Sequence, residues 1–185
     1  LLLTIVLIVG FGIAQPIFLS PENLVNAISS VAVLWFIAMG ATLVLISGGI
    51  DLSSGAVAGA AGIMLAQCLT GGIPFVPAVL VSIVFGALLG GLINGMLVGY
   101  LKLNVFVVTL ASMTAITGAI SLWTGTQSYY VSDPALAWIA TGSVGPVPVV
   151  VIGMVSVFLF LLFVQRRPHF GRSVYAVGGD LLAAR

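Results

Sequence analysis

The chain has 185 residues, of which 61% are hydrophobic and only 5% are charged, and its mean hydropathy is +1.34. Soluble domains carry about a quarter charged residues, so five Lys/Arg and four Asp/Glu are too few to solvate a folded chain of this size. The composition therefore predicts an integral membrane protein in contact with the lipid bilayer. A formal net charge of +1 offers no electrostatic attraction to a phosphate backbone, which excludes nucleic acid as a partner.

The chain begins at Leu1, inside an apolar run, and ends at Arg185 directly after a helix-like Leu-Leu-Ala-Ala segment. We expect a longer polypeptide, so that the sequence is incomplete at both ends. The first run lacks the basic flank and the cleavage pattern of a signal peptide. The single cysteine, Cys68, cannot form an internal disulfide, and its apolar neighbours predict a small buried side chain.

Apolar runs predict the number of membrane segments. A hydrocarbon core about 30 Å thick requires about 20 apolar residues in a helix. Five runs are long enough, at approximately 1–19, 24–47, 74–100, 104–124 and 147–165. A sixth run at 52–69 is short and rich in Gly and Ala, which suits a tightly packed span or a half-helix. The expected fold is an all-α integral membrane protein, a polytopic helical bundle of about six membrane segments, one of them short or broken, in a single domain over 1–185.

Two helix starts are marked by capping residues. Ser20 precedes Pro21 and Glu22, which places a cap, a first-turn proline and a favourable carboxylate in order. Asp133 precedes Pro134 in the same way, and the short apolar stretch that follows is suited to the headgroup region.

Orientation follows from the few basic residues, since Lys and Arg in short loops stay on the cytoplasmic side. The segment containing Lys102 and the segment 166–185 are therefore predicted to be cytoplasmic. Residues 125–146 contain no basic side chain and are predicted to be external. Four aromatic residues bracket them as an interfacial belt: Trp123, Tyr129, Tyr130 and Trp138.

Small residues recur along the run at 74–100. The overlapping small-xxx-small pattern predicts a helix face that packs closely against another helix. Its members are Gly86, Gly90, Gly91, Gly95 and Gly99.

Asp51 is the one acidic residue flanked by two membrane runs. An ionisable group at such a position marks a pathway in one interpretation. In the other, which the sequence favours, Gly48 and Gly49 end one helix and the Asp51 carboxylate caps the next. The two interpretations are compatible, because broken helices line substrate cavities in transporters.

The other pathway or gate candidates are neutral. Polar uncharged side chains inside membrane runs suit a hydroxyl-rich solute and do not favour ion coupling. For any one of these residues, however, interhelical hydrogen bonding is the role that the sequence favours. With Asp51, the candidates are Ser53, Asn94, Thr109 and Ser112.

Catalysis is excluded by the inventory of side chains. His169 is the only histidine, and it lies in a basic segment without the partners of a metal site. No phosphate-binding loop of the G-x-x-x-x-G-K-[ST] type occurs. We therefore expect no catalytic residue, no metal site and no cofactor on this chain.

Several sequence blocks, taken together, resemble the permease subunit of ribose-type sugar ABC importers (ribose, xylose, arabinose and galactoside systems). The blocks are NLVN at 23–26, GATLVLISGGIDLSSG at 40–55, GLING at 91–95, VFVVTL at 105–110, and FGRSVYAVGGD at 170–180 running into Ala183 and Ala184.

The resemblance implies a multi-pass subunit of the bacterial inner membrane that translocates a sugar delivered by a periplasmic sugar-binding protein. It also implies a second permease copy or homologue, and cytoplasmic ABC ATPase subunits that bind ATP and Mg. The alternative is a secondary transporter or facilitator for a small neutral solute that needs no ATPase. A membrane scaffold without a solute is a third possibility.

By the same resemblance, 166–185 is the cytoplasmic coupling segment that docks on the ATPase. A sharp turn at Gly178 and Gly179 would lead into a short helix capped by Asp180. The implied coupling residues are Gly171, Arg172, Tyr175, Gly178, Gly179, Asp180, Ala183 and Ala184.

Overall fold

The structure, a computed structural model, describes residues 1–167 and 169–179. Helices make up most of this part of the chain. In chain order the elements are α1 (Leu2–Ala14), a 3₁₀ turn (Pro16–Leu19), α2 (Pro21–Ser30), α3 (Ala32–Ile46), α4 (Ser54–Thr70), α5 (Phe75–Gly86) with its π-helical continuations (Ala87–Asn94 and Met96–Tyr100), α6 (Val105–Thr124), α7 (Pro134–Thr141), β1 (Ser143–Val144), β2 (Val147–Pro148), α8 (Val149–Gln165) and α9 (Phe170–Gly179).

One small hairpin departs from the all-α expectation. Strands β1 and β2 pair antiparallel, with Ser143 opposite Pro148 and Val144 opposite Val147. The chain turns at Gly145, whose φ is +61°. Strands of two residues have no periodicity to detect, which is why the sequence prediction missed them.

Two of the predicted spans are continuous helices long and apolar enough to cross a membrane, Phe75–Tyr100 and Val105–Thr124. The predicted 24–47 run is a broken span, in which α2 and α3 meet at an angle of 50°. Ser30 Oγ donates to the carbonyl of Ala27 at 2.8 Å beside the break, a side-chain bond that bends helices.

The remaining apolar helices are shorter than the runs that predicted them. Helix α1 has 13 residues, and α4 and α8 have 17 each. The run at 1–19 divides at Gln15, which is extended and is followed by a 3₁₀ turn. A polytopic helical membrane fold is therefore confirmed, and the number of six spans stays a prediction.

The apolar surface of the described chain supports its membrane class. Many large hydrophobic side chains are exposed, among them Val76 (65%) and Phe160 (62%). A soluble monomer rarely exposes a contiguous apolar surface of this kind, whereas lipid or neighbouring helices cover it in a membrane. Cys68 is buried, as predicted.

Both predicted caps are present. Ser20 Oγ accepts from the Asn23 amide at 3.3 Å, at the start of α2. Asp133 Oδ1 accepts from the Ala135 and Leu136 amides at 2.9 and 3.0 Å, and α7 begins directly after it.

The glycine ladder is only partly a packing face. A Cβ at Gly86 would lie 3.4 Å from Ala61 Cβ, and one at Gly90 would lie 3.6 Å from Val57, both on α4. At the other three positions (Gly91, Gly95 and Gly99) a Cβ would meet nothing within 4 Å. At these three positions the packing role stays a prediction. The helix has π geometry from Ala87 to Asn94 and from Met96 to Tyr100.

The segment beyond α8 also differs from expectation. Gly178 and Gly179 belong to α9, which runs from Phe170 to Gly179, so they do not form a turn that starts a helix. The predicted cap Asp180 and the contact residues Ala183 and Ala184 lie outside the described residues.

Candidate functional site

The candidate site is built around a tight turn at the end of α3. Gly48 has a φ of +83°, its amide donates to the Leu45 carbonyl at 3.0 Å, and the Gly49 amide donates to the Val44 carbonyl at 3.0 Å. This pair of bonds is the Schellman motif that ends a helix with a left-handed glycine. The prediction that the glycine pair terminates a helix is confirmed, and the turn directs Ile50 and Asp51 toward α4.

The Asp51 carboxylate lies at the N-terminal end of α4 but binds the residue before the helix. Its Oδ1 accepts from the Ser53 amide and from the Ser53 hydroxyl, both at 2.7 Å. The first helical residue is Ser54. The carboxylate therefore fixes the turn that leads into α4 rather than the amides of its first turn.

Asn94 connects this turn to two other helices. Its Nδ2 donates to Ser53 Oγ at 2.8 Å, and its Oδ1 accepts from Ser112 Oγ at 2.5 Å. The Asn94 side chain lies at the end of a π-helical stretch and is 7% exposed. A buried amide bonded on both sides holds the three elements in register.

The hydrogen bonds all run in one direction. Ser112 donates to Asn94, Asn94 donates to Ser53, and Ser53 donates to the Asp51 carboxylate. We call these four residues the polar cluster. In the described part of the chain, no buried side-chain nitrogen or oxygen lacks a hydrogen-bond partner.

Thr109 adds a fifth side chain beside the polar cluster. Its hydroxyl lies 2.9 Å from the Val105 carbonyl in its own helix and 3.1 Å from the Ile50 carbonyl in the turn. Thr114 and Thr117 instead donate to carbonyls four residues earlier in α6. The structure thus brings together all five residues that the sequence singled out as pathway candidates.

A cavity of about 740 Å³ adjoins the polar cluster, a volume in the range of small-molecule sites. Three of the ladder glycines that meet no neighbouring helix line it, and their lack of side chains leaves it open. Its lining includes Asp51, Asn94, Thr109, Gly91, Gly95, Gly99, Lys102 and Val177.

Sequence reasoning missed two lining residues. Lys102 was interpreted only as a topology marker, yet it adopts a φ of 55° and borders the cavity. Its position between two membrane runs was the available signal. Val177 reaches the cavity from α9, and nothing in its local sequence indicated that contact.

The described coupling residues of α9 differ in what lies next to them. A Cβ at Gly171 would overlap the Gln165 carbonyl, and one at Gly178 would overlap the Ile46 carbonyl. Arg172 and Tyr175 are exposed, and a Cβ at Gly179 would meet nothing within 4 Å.

The side chains at the site are hydrogen-bonding groups. The polar cluster and Thr109 offer hydroxyls, an amide and one carboxylate beside a glycine-walled cavity. Among residues 1–167 and 169–179, no group of three His, Cys, Asp or Glu is arranged to hold a metal ion. His169 is exposed.

Comparison with known proteins finds permease proteins that are similar to this chain. The chain is 39% identical to the galactofuranose transporter permease protein of Escherichia coli K12 over 170 residues, covering 91% of this chain and 48% of the relative. It is 32% identical to the autoinducer 2 import system permease protein of E. coli K12 / DH10B, covering 100% and 54%. It is also 32% identical to the ribose import permease protein of Haemophilus influenzae, covering 98% and 57%.

The chain spans about half the length of these curated relatives. No solved structure matches it. A family model described as "Branched-chain amino acid transport system / permease component" matches residues 23–185. The resemblance to ribose-type importer permeases is confirmed by the named relatives, which are transport permeases rather than enzymes. The chain belongs to the branched-chain amino acid transport system / permease component family.

Proposed function

We propose that this chain is part of the membrane-spanning permease subunit of an ATP-binding-cassette importer, and that the importer carries a sugar or a related hydroxyl-rich solute. The observation that carries the proposal is the convergence of Asp51, Ser53, Asn94, Thr109 and Ser112 beside one cavity. The relatives named for galactofuranose, autoinducer 2 and ribose support the solute class.

The polar cluster is suited to gate this solute. Its hydrogen bonds join the turn after α3 to α4, to the end of the long span and to α6. A hydroxyl-rich solute offers donors and acceptors that replace such bonds one for one, so the cluster can open without leaving buried groups unpaired. The polar cluster contains a single carboxylate, so it is less suited to binding a coupling ion.

The proposal includes partners that the family implies. ABC ATPase subunits bind ATP and Mg and dock on the 166–185 segment, a second permease copy or homologue completes the pathway, and a periplasmic sugar-binding protein delivers the solute. The location is the bacterial inner (cytoplasmic) membrane, with Lys102 and α9 on the cytoplasmic side. Two membrane runs, 104–124 and 147–165, separate Lys102 from α9. Both segments therefore lie on the same side of the membrane, which supports that orientation.

Reconstitution tests the proposal. The permease is placed in proteoliposomes with its ATPase subunits and binding protein, and uptake of radiolabelled D-ribose, D-galactose and L-leucine is measured with and without ATP. ATP-dependent uptake of a sugar is the expected result. Sugar uptake that is the same with and without ATP would identify a facilitator instead. Uptake of L-leucine without uptake of either sugar would contradict the proposed sugar and would assign a branched-chain amino acid as the solute.

A further inference from the structure

A hydrogen bond between two distant side chains lies toward the end of α4 that is opposite the polar cluster. Gln67 Nε2 donates to the Tyr129 hydroxyl at 3.0 Å, and the two residues are 62 positions apart. Gln67 lies 14 residues after Ser53, which is about 21 Å along the axis of a helix. We call this hydrogen bond the latch.

The tyrosine belongs to the segment 125–133, which we call the strap. The strap lies between α6 and α7 and forms neither helix nor strand. At its α6 end the Gln127 amide donates to the Thr124 carbonyl at 3.1 Å, and at its other end the Asp133 carboxylate caps α7. Between these ends, the latch is the only hydrogen bond that holds residues 128–132 to the described part of the chain.

The strap begins at two residues in the left-handed conformation. Gly125, which ends α6, has a φ of +58°, and Thr126 has a φ of +61°. This conformation is strained for a β-branched residue such as threonine. Residues at the end of an element that can change φ and ψ are the usual hinges of moving segments. The strap therefore has a hinge at its α6 end and one side-chain bond in its middle.

The strap also connects two sets of packed helices. Helix α4 packs against α5 and α6, whereas α8 packs against α3 and α7. Helices α3 and α4 contact each other, and the turn between them carries part of the polar cluster. The strap leaves α6 in the first set and enters α7 in the second, and the latch ties its middle to α4. At this end of the bundle, the latch holds the connection between the two sets against α4.

We propose that the strap closes the external end of the solute path, and that the latch between Gln67 and Tyr129 holds it shut. The inference rests on the proposed function, because it places the polar cluster and the latch at the two ends of one path. Gln67 is half-buried and Tyr129 is 40% exposed. One neutral hydrogen bond between such groups shifts an equilibrium by about fivefold, so the strap is held weakly enough to lift in each transport cycle.

The first test removes one hydroxyl from the latch. Tyr129→Phe is compared with Tyr130→Phe, since Tyr130 is the next residue and is 91% exposed. Val131→Cys in a Cys68→Ala background provides the reporter thiol, because Val131 is half-buried within the strap. We expect Tyr129→Phe to raise the rate of labelling by a membrane-impermeant thiol reagent about fivefold, and Tyr130→Phe to leave it unchanged.

A second variant removes the other partner of the same bond. Gln67→Met should raise labelling of the Val131→Cys reporter as Tyr129→Phe does. The control is Thr70→Val, because Thr70 is exposed and donates within its own helix. If both effects come from one bond, Gln67→Met combined with Tyr129→Phe should label no faster than either variant alone. This variant and its control decide the matter if Tyr129→Phe does not fold.

A cross-link separates a moving closure from a fixed structural contact. Gln67→Cys and Tyr129→Cys, combined in the Cys68→Ala background, are joined by a bifunctional thiol reagent that contains a reducible disulfide. We expect the cross-linked importer to lose ATP-dependent uptake of D-ribose or D-galactose in proteoliposomes, and a reductant to restore it. Each single-cysteine variant, treated with the same reagent, should keep its uptake.

The outcomes separate this inference from the proposed function. Unchanged labelling in Tyr129→Phe, an equal rise in Tyr130→Phe, or full uptake by the cross-linked importer would each overturn the closure. Multiplied effects in the double variant would show that the two side chains act separately, which also overturns the latch. The importer assignment stands in all these cases, since it depends on ATP-dependent uptake by the wild type.

Discussion

Asn94 Nδ2 lies 2.8 Å from Ser53 Oγ and joins residues 41 positions apart in the sequence. The bond ties the π-helical end of the long span to the N-terminal end of α4. Because the Asn94 carbonyl also accepts from Ser112, one side chain sets the spacing of three membrane elements. The polar cluster thus joins three membrane elements beside a glycine-walled cavity.

Replacing Asn94 with Leu should destabilise the fold. The change leaves the Ser53 and Ser112 hydroxyls without these partners, and an unsatisfied buried polar group costs about 1–3 kcal/mol. Thermal unfolding in detergent, followed by a thiol- or fluorescence-based assay, measures the loss. Thr117→Val is the control, because Thr117 is exposed and bonds within its own helix, so we expect a change within about 0.5 kcal/mol. Equal stability of the two variants would mean that the polar cluster does not hold the helices together.

Asp51→Asn should retain most transport, whereas Asp51→Leu should lose transport and protein level together. The amide oxygen of Asn can accept from the Ser53 amide and hydroxyl as Oδ1 does now, and an aliphatic chain cannot. Uptake and the amount of folded protein are measured in the same cells. A stable but inactive Asn variant would show that the negative charge itself is required.

The two halves of the glycine ladder should respond differently to bulk. Gly86→Leu forces a large side chain against Ala61, and overpacking of this kind costs about 1–3 kcal/mol. A Cβ at Gly95 would meet nothing within 4 Å, and the position lines the cavity, so Gly95→Leu should fill part of the cavity and lower uptake with little loss of stability. Expression level, detergent stability and uptake are compared, with Leu97→Ala as a reference. A Gly95 variant that fails to fold would restore the packing role that the sequence suggested for it.

Topology can be tested by thiol labelling in intact cells. Ser128→Cys and Ser173→Cys, each in the Cys68→Ala background, place single thiols at exposed positions in the predicted external and cytoplasmic segments. A reagent that cannot cross the membrane should label position 128 and spare position 173 until the cells are permeabilised. The reverse pattern would invert the topology and place α9 out of reach of a cytoplasmic ATPase.

Local signals predicted much of the secondary structure. Composition determined the membrane class, Ser20 and Asp133 determined two helix starts, and Gly48 determined a helix end, because each effect acts within one turn of the chain. The resemblance in the residue blocks determined the family. The long runs at 74–100 and 104–124 form continuous helices, because their only prolines, Pro74 and Pro77, lie at the helix start, where a missing N–H is harmless.

The tertiary structure decided what these elements do together. The sequence named Asp51, Ser53, Asn94, Thr109 and Ser112 individually, but hydrogen bonds between them depend on three-dimensional approach that spacing does not encode. A Cβ at Gly86 or Gly90 would contact α4, whereas one at Gly91, Gly95 or Gly99 would meet nothing within 4 Å. Gly178 was predicted to form a turn, and its helix instead uses the missing side chain for contact with Ile46. A glycine is compatible with a turn, a close backbone contact or an open wall, and only the packing of distant segments selects among them.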